Sequence, residues 1–364
     1  MPRVLLPAGA TSQMPLLGLD LSYTAYPDLF QVDYRAAKRN KGAYALVYHR
    51  HNVLAETRAF GLEFEYDGPG GTERTVGQAL YDAGLVISPD RLHWHARAFG
   101  PGQRVRHEYD RTVRGEVVTD ILHDAPDTWD LIERVMKSIA GGGGVISARC
   151  GGHGHYDTSD YELPDYLRLL RLFTAFEDVL YRVCATPRSV NHRGDEFCAP
   201  FPALPSRLRS VQHLADLCDG HEWAICTRGV ARRDAHKRVV GDIGPGSHIE
   251  LRFPDATGDK RSIQAQVKIG AALVSAAKRL DDRTVAALTP MRRGAHLARN
   301  PKERRLVGQE WAEQTENFRQ FLDLLFNRWE DKQQVIGLFA LTRWQPESAS
   351  TPRADPRPKS WVGH

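Results

Sequence analysis

Two glutamates, Glu63 and Glu65, stand two residues apart in a segment, residues 58–67, that alternates apolar and polar side chains. Such alternation is typical of a β-strand, whose successive side chains point to opposite faces. Both carboxylates therefore leave the same face, about 7 Å apart at a rise of about 3.3 Å per residue. Carboxylates paired in this way suit a divalent cation, whose preferred ligands are oxygen atoms.

Three further segments carry the same kind of polar face, namely residues 115–122 with Glu116, residues 151–157 with His153 and His155, and residues 247–255 with Glu250 and Arg252. For any one strand, a solvated face is the better explanation of such residues. Together they indicate a site, because carboxylates stacked on one surface repel each other unless cations neutralise them. Arg252 beside Glu250 also offers a planar donor fork for phosphate oxygens.

The elements that must position these residues alternate between strand and helix patterns. Apolar residues recur at helical spacing over residues 128–139, 165–184, 260–279 and 306–342. We therefore expect an α+β fold, in which a mostly antiparallel sheet is backed by helices.

The composition, 41% hydrophobic and 26% charged, is that of a globular protein with a full core. Its formal charge of +4 is scattered among acids, so it indicates no nucleic-acid surface. No apolar run is long enough to span a membrane, and residues 1–20 are too weakly apolar for a secretory signal, so we expect a cytoplasmic protein. The five cysteines contain no CxxC pair and predict reduced thiols.

These motifs give the chain a family resemblance. Residues 60–67, 152–155 and 248–255 resemble, in order, the GxExE, GxHxH and IExRxPD strands of glutamine synthetase. The closer resemblance is to the amidoligase family, a branch of the glutamine synthetase and glutamate–cysteine ligase superfamily. Its further motifs are matched in order by Trp94, residues 110–112, residues 116–120, residues 150–155, residues 188–191, Cys198 and residues 250–252. The resemblance covers about residues 56 to 280.

Three features depart from the family pattern. Residues 99–109 form a long, basic insertion, Asp120 stands where a proline is usual, and Gly154 replaces a larger residue between the histidines. We expect these departures to affect the substrate pocket more than the metal site.

The resemblance implies a glutamine synthetase-like fold and an ATP-dependent carboxylate–amine ligase that forms an acyl phosphate and releases ADP and phosphate. The implied cofactors are ATP and magnesium, with manganese as the alternative ion. Glu65 and Glu116 would hold one ion, Glu63, His153 and Glu250 a second, and His155 and Arg252 would contact the phosphates of ATP. The catalytic set is Glu63, Glu65, Glu250 and Arg252, and the candidate substrate-binding residues are Arg188, Asn191 and Arg193.

The expected organisation is an N-terminal extension (1–55), a catalytic domain (56–285), a C-terminal helical segment (286–345) and a flexible tail (346–364). The expected substrates are a small-molecule or peptide carboxylate and an amine. A homo-oligomer stays open, because related enzymes share sites between subunits.

Two other functions stay open. The HxH pairs His93/His95 and His153/His155 would suit a zinc or manganese hydrolase, although the accompanying glutamates favour harder ions. The same fold without catalysis would suit a binding or scaffold protein, although clustered charge is unexpected at an idle site. For Cys150 and Cys198 we expect packing rather than chemistry.

Overall fold

The structure is a computed structural model, and it describes residues 46–92, 99–100, 102–147, 149–184, 198–199, 201, 203–234, 236, 238–288 and 309–341. The expected tail, residues 346–364, and most of the expected N-terminal extension lie outside the described residues.

Six strands form one sheet: β1 (Phe60–Tyr66), β2 (Val105–Glu108), β3 (Gly115–Thr119), β4 (Gly152–Asp157), β5 (Ile225–Cys226) and β6 (His248–Leu251). Their order across the sheet is β2-β3-β1-β4-β6-β5. Every pairing between these strands is antiparallel. This antiparallel sheet, together with the helices of the chain, confirms the predicted α+β fold class.

Each central strand has one apolar and one polar face, as the period-two pattern predicts. On β1, Leu62, Phe64 and Tyr66 are buried in the core, whereas Glu63 and Glu65 point to the other face. Because the strands of one sheet share the same two faces, the polar positions of the neighbouring strands meet those of β1. The sheet therefore gathers the polar side chains of distant segments on one surface.

The described helices are α1 (Thr72–Asp82), α2 (Pro126–Gly141), α3 (Leu163–Ala175), α4 (Glu177–Val183), α5 (Val211–Cys218), α6 (Lys260–Arg279), α7 (Asp282–Ala286), α8 (Gln309–Leu325) and α9 (Trp329–Leu341). Helix α6 is central among them, since it contacts β4 and also α2, α3, α8 and α9. Its first turn is capped by Asp259, whose side chain accepts a hydrogen bond from the Arg261 amide. None of the helices within the described residues combines the length and apolarity needed to cross a bilayer.

One expected helix is broken. The pattern over 165–184 predicts a continuous helix, but α3 ends at Ala175 and α4 begins at Glu177. Phe176 between them has a φ of −112° and is fully buried, with its ring 5.4 Å from that of Phe321 on α8. Packing of this phenylalanine against the C-terminal helices thus accompanies a bend that helical spacing alone does not reveal. The helical patterns over 306–342 correspond to two helices within the described residues, α8 and α9.

A buried ion pair joins α6 to the C-terminal helices. Lys268 on α6 donates to Asp331 on α9 over 2.6 Å, and both side chains are only 4% exposed. Arg328 binds the same carboxylate and also donates to the backbone carbonyls of Asn52 and Val53. This network fixes the segment that leads into β1 and, with it, the start of the polar face.

Tyr156 of β4 packs between two glycines. A Cβ on Gly154 would approach the Tyr156 ring to 2.9 Å, and one on Gly270 of α6 would overlap the same ring. The absence of side chains at both positions therefore lets β4 lie close against α6. Gly154 faces the helices. Glycine at this position, where the family has a larger residue, therefore affects the packing of the core.

We expect Gly270→Ala to lower the free energy of unfolding by about 1–3 kcal/mol, because an added methyl overpacks the Tyr156 site. Gly258→Ala is the control, since a Cβ there meets no atom within 4 Å. Urea denaturation measures both variants. Equal stability of the two would contradict the packing described here.

Candidate active site

The polar face of β3, β1, β4 and β6 brings the sequence-predicted charged residues together. Three register pairs define the arrangement: Glu65 lies opposite Glu116, Glu63 opposite His153, and His155 opposite Glu250. Directly opposed residues have Cβ atoms about 5 Å apart, so their side chains interact. Segments from four distant parts of the sequence thus share one site.

The first cluster consists of Glu63, His153 and Glu250, whose ligand atoms all lie within 4.8 Å of one another. His153 Nδ1 is 2.8 Å from Glu63 Oε2 and 3.4 Å from Glu250 Oε1. The imidazole is 3% exposed. Two carboxylates and one imidazole therefore converge in a nearly buried position.

The second cluster consists of Glu65, Glu116 and the same His153, again within 4.8 Å. The other ring nitrogen, His153 Nε2, is 3.5 Å from Glu65 Oε1. Glu65 Oε2 accepts a hydrogen bond of 2.6 Å from the Gly151 amide, which fixes the carboxylate. His153 thus stands between the two clusters, with one nitrogen toward each. The sequence placed His153 with only one of them.

Opposite pKa shifts follow from this crowding. Burial alone would raise the pKa of Glu63, but the charge of His155 and hydrogen bonds from His153 and His155 hold it well below its usual range. The pKa of Glu116 is raised well above its usual range by burial and by the charges of Glu63 and Glu65. The face therefore carries more carboxylates than its own cations neutralise.

The two residues expected at the phosphates lie beside these clusters. His155 Nε2 is 2.8 Å from Glu63 Oε1; burial opposes its protonation, but the Glu63 charge raises its pKa to about 9. Arg252 pairs with Glu250, and its Nε donates over 2.9 Å to the His221 carbonyl. Two cationic side chains thus border the carboxylates on the β4–β6 side.

The donor sets fit divalent ions. Each cluster offers two carboxylates and an imidazole nitrogen. Burial and the charges of Glu63 and Glu65 raise the pKa of Glu116, and a bound cation would offset both effects. Glu65 and Glu116 would hold one ion and Glu63 and Glu250 another, with His153 available to both. This assignment of ions to residues stays a prediction.

Two residues of this face were missed by sequence reasoning. Residues 99–109, interpreted as an insertion, contain the edge strand β2, and its Glu108 lies in register with Glu116. Arg106, two residues earlier, extends the same face. The alternation of Val105 and His107 with Arg106 and Glu108 was the available signal, but it spans only four residues.

Not every sequence prediction can be placed on this face. Arg188, Asn191 and Arg193, like the pair His93/His95 and Trp94, lie outside the described residues. Cys150 is buried, which raises the pKa of its thiol to about 12. A thiol with that pKa is a poor nucleophile, which favours the packing role expected for it.

Comparison with known proteins finds a matching family and several similar solved structures. Residues 35–274, more than half of the chain, match the model of a family described as "Putative amidoligase enzyme". A chain of the "Crystal structure of the complex between Prokaryotic Ubiquitin-like Protein Pup and its Ligase PafA" is 14% identical, with a TM-score of 0.34. The match covers 79% of this chain and 63% of that one, less than two thirds of its length. No curated protein matches the chain.

We expect Glu116→Gln to leave the metal-free protein as stable or more stable, because the substitution removes one of several crowded carboxylates. The same variant should lose most of the rise in melting temperature that Mg²⁺ or Mn²⁺ gives the wild type. Differential scanning fluorimetry measures both effects, with Glu56→Gln as the control, because the Glu56 side chain is 40% exposed and pairs with Arg279. A metal-induced shift that survives Glu116→Gln would exclude this residue as a ligand.

Proposed function

The chain belongs to the amidoligase family, and from that premise we propose that it is an ATP-dependent carboxylate–amine ligase with a glutamine synthetase-like fold. The observation that carries the proposal is the pair of carboxylate clusters that share His153, bordered by His155 and Arg252. A site for phosphoryl transfer needs divalent cations next to cationic donors for phosphate. The described face combines carboxylate clusters that suit divalent cations with two cationic side chains beside them.

Bound magnesium or manganese would offset negative charge while the terminal phosphoryl group of ATP passes to a carboxylate. The chain's own residues position the reactants. Arg252 offers its planar guanidinium to the phosphate oxygens, and Glu250 holds that guanidinium in place. His155, whose pKa the charge of Glu63 raises to about 9 against the opposing effect of burial, adds a second donor on the same side.

The product of this transfer is an acyl phosphate, which an amine held alongside attacks to give an amide and phosphate. The nucleotide product is then ADP. An adenylating enzyme would release AMP and pyrophosphate, so the two routes are told apart by the nucleotide alone.

The proposed catalytic domain spans residues 56–285, with residues 1–55, 286–345 and 346–364 as additions to it. The C-terminal helices support the site indirectly, through the ion pair between Lys268 and Asp331. We propose a small-molecule or peptide carboxylate and an amine as substrates.

We expect Mg²⁺ and ATP together to raise the melting temperature more than either does alone, because the metal and the phosphates bind as one unit. With a carboxylate and an amine that are turned over, nucleotide chromatography should detect ADP. Formation of AMP and pyrophosphate would contradict the acyl-phosphate route. Stabilisation by zinc alone, with no effect of Mg²⁺ and ATP, would favour the hydrolase instead.

We expect Arg252→Lys to weaken MgATP binding by about tenfold or more, since a point charge replaces a bidentate fork. Binding of Mn²⁺ without nucleotide should change by less than about twofold, because the positive charge beside Glu250 is kept. Isothermal titration of each ligand gives both values. Arg261→Lys, at a half-exposed position on α6, is the control. Unchanged MgATP affinity in Arg252→Lys would remove this residue from the phosphates.

A further inference from the structure

Two arginines lie at opposite ends of one row of cross-strand neighbours on the polar face. From β2 to the end of β6 the row runs Arg106, Val118, Glu63, His153 and Arg252. Neighbouring strands lie about 4.8 Å apart, so each arginine backbone is about 10 Å from that of Glu63. The carboxylate clusters therefore have a guanidinium on each side. Of these two arginines, the sequence analysis assigned a role only to Arg252.

Arg106 is held in a defined orientation. Its Nη2 is 2.7 Å from Glu108 Oε1, and its guanidinium carbon lies 4.2 Å from the centroid of the Phe99 ring. The side chain is 11% exposed, compared with 7% for Arg252 and 10% for Glu250. A ligand that reaches Arg252 and Glu250 thus meets Arg106 at similar depth.

Fold stability alone is a weak explanation for the buried ion pair between Arg106 and Glu108. Burying two charges costs desolvation energy that their attraction offsets only in part, so apolar residues would serve the fold at least as well. A buried arginine fork oriented by a carboxylate and a ring is, however, suited to recognising a planar anion. Val118, partly exposed between Arg106 and Glu63, offers an apolar surface for the carbon atoms of such a ligand.

We propose that Arg106 binds the carboxylate-bearing end of the acid substrate on the side of the clusters opposite Arg252. This inference rests on the proposed function. Phosphoryl transfer proceeds in line, with the attacking and leaving oxygens on opposite sides of the transferred group. If Arg252 and His155 hold the nucleotide on the β4–β6 side, the attacking carboxylate enters from the β3–β2 side. Arg106 is the cation that the described residues place there on this face.

The test measures binding of four carboxylate probes, namely acetate, succinate, glutarate and L-glutamate. Each is titrated by isothermal calorimetry into protein that holds Mg²⁺ and the β,γ-methylene analogue of ATP. We expect Arg106→Gln to weaken the best probe by about tenfold or more, because a charged hydrogen-bond partner is lost. Affinity for the ATP analogue should change by less than about twofold.

Two further variants separate recognition from folding. Arg106→Gln leaves Glu108 buried without its ion pair, so the double variant Arg106→Gln/Glu108→Gln, which keeps both positions polar and uncharged, is measured as well. Arg104→Gln is the matched control, because Arg104 contacts Asp127 and Thr128 at the start of α2 instead of this face. It should bind the probes as the wild type does.

Equal affinity of the wild type and both Arg106 variants for the best probe would overturn the proposal. So would a wild type that binds the ATP analogue but none of the four probes. If the wild type fails to bind the ATP analogue, the proposed function fails instead. Titration of the probes without nucleotide then decides the role of Arg106, which stands only if the wild type binds a probe that the variants lose.

Discussion

Repulsion between carboxylates on a single sheet face is the constraint on which the rest of the structure depends. Glu63, Glu65, Glu116 and Glu250 come from three strands and meet within a few ångströms around His153. The side chains of His155 and Arg252 offset part of this charge, but burial together with the charges of Glu63 and Glu65 still raises the pKa of Glu116. Such a face is maintained because the opposite side of the same strands is deeply buried, so that core packing fixes the backbone whatever the charges on the other side. Divalent cations of the kind that the proposed phosphoryl transfer requires would complete the balance of charge on this face.

Much of this face follows from sequence, because side chains alternate strictly along a strand. Period two places Glu63 with Glu65, and His153 with His155, without any knowledge of the sheet. It leaves open which residues of different strands meet, since register depends on pairing between segments far apart in the chain. The position of His153 between both clusters follows from that pairing, which sets its two nitrogens against different carboxylates. Spacing along one strand contains no information about it.

The helices likewise differ in how far the sequence predicts them. The pattern over 260–279 locates α6 to the residue, because its apolar stripe coincides with a local capping residue, Asp259. The break at Phe176 depends instead on its contact with Phe321, which lies far along the chain. The edge strand β2 was missed in the sequence for a different reason. Pro101 and Gly102 precede it and two of its four residues, Arg106 and Glu108, are charged, so its short alternation looks like part of a loop.

Two of the departures from the family pattern are connected physically. The Asp120 amide donates a hydrogen bond of 2.9 Å to the carbonyl of Arg104, just before β2 begins. A proline at this position has no N–H and would remove that bond. Asp120 therefore lets the ladder between β3 and β2 extend by one bond beyond the strand, which anchors the 99–109 segment to the sheet. The inserted segment is thus no separate loop above the site. It adds a strand to the polar face and places Arg106 and Glu108 in line with residues that the family pattern already contains.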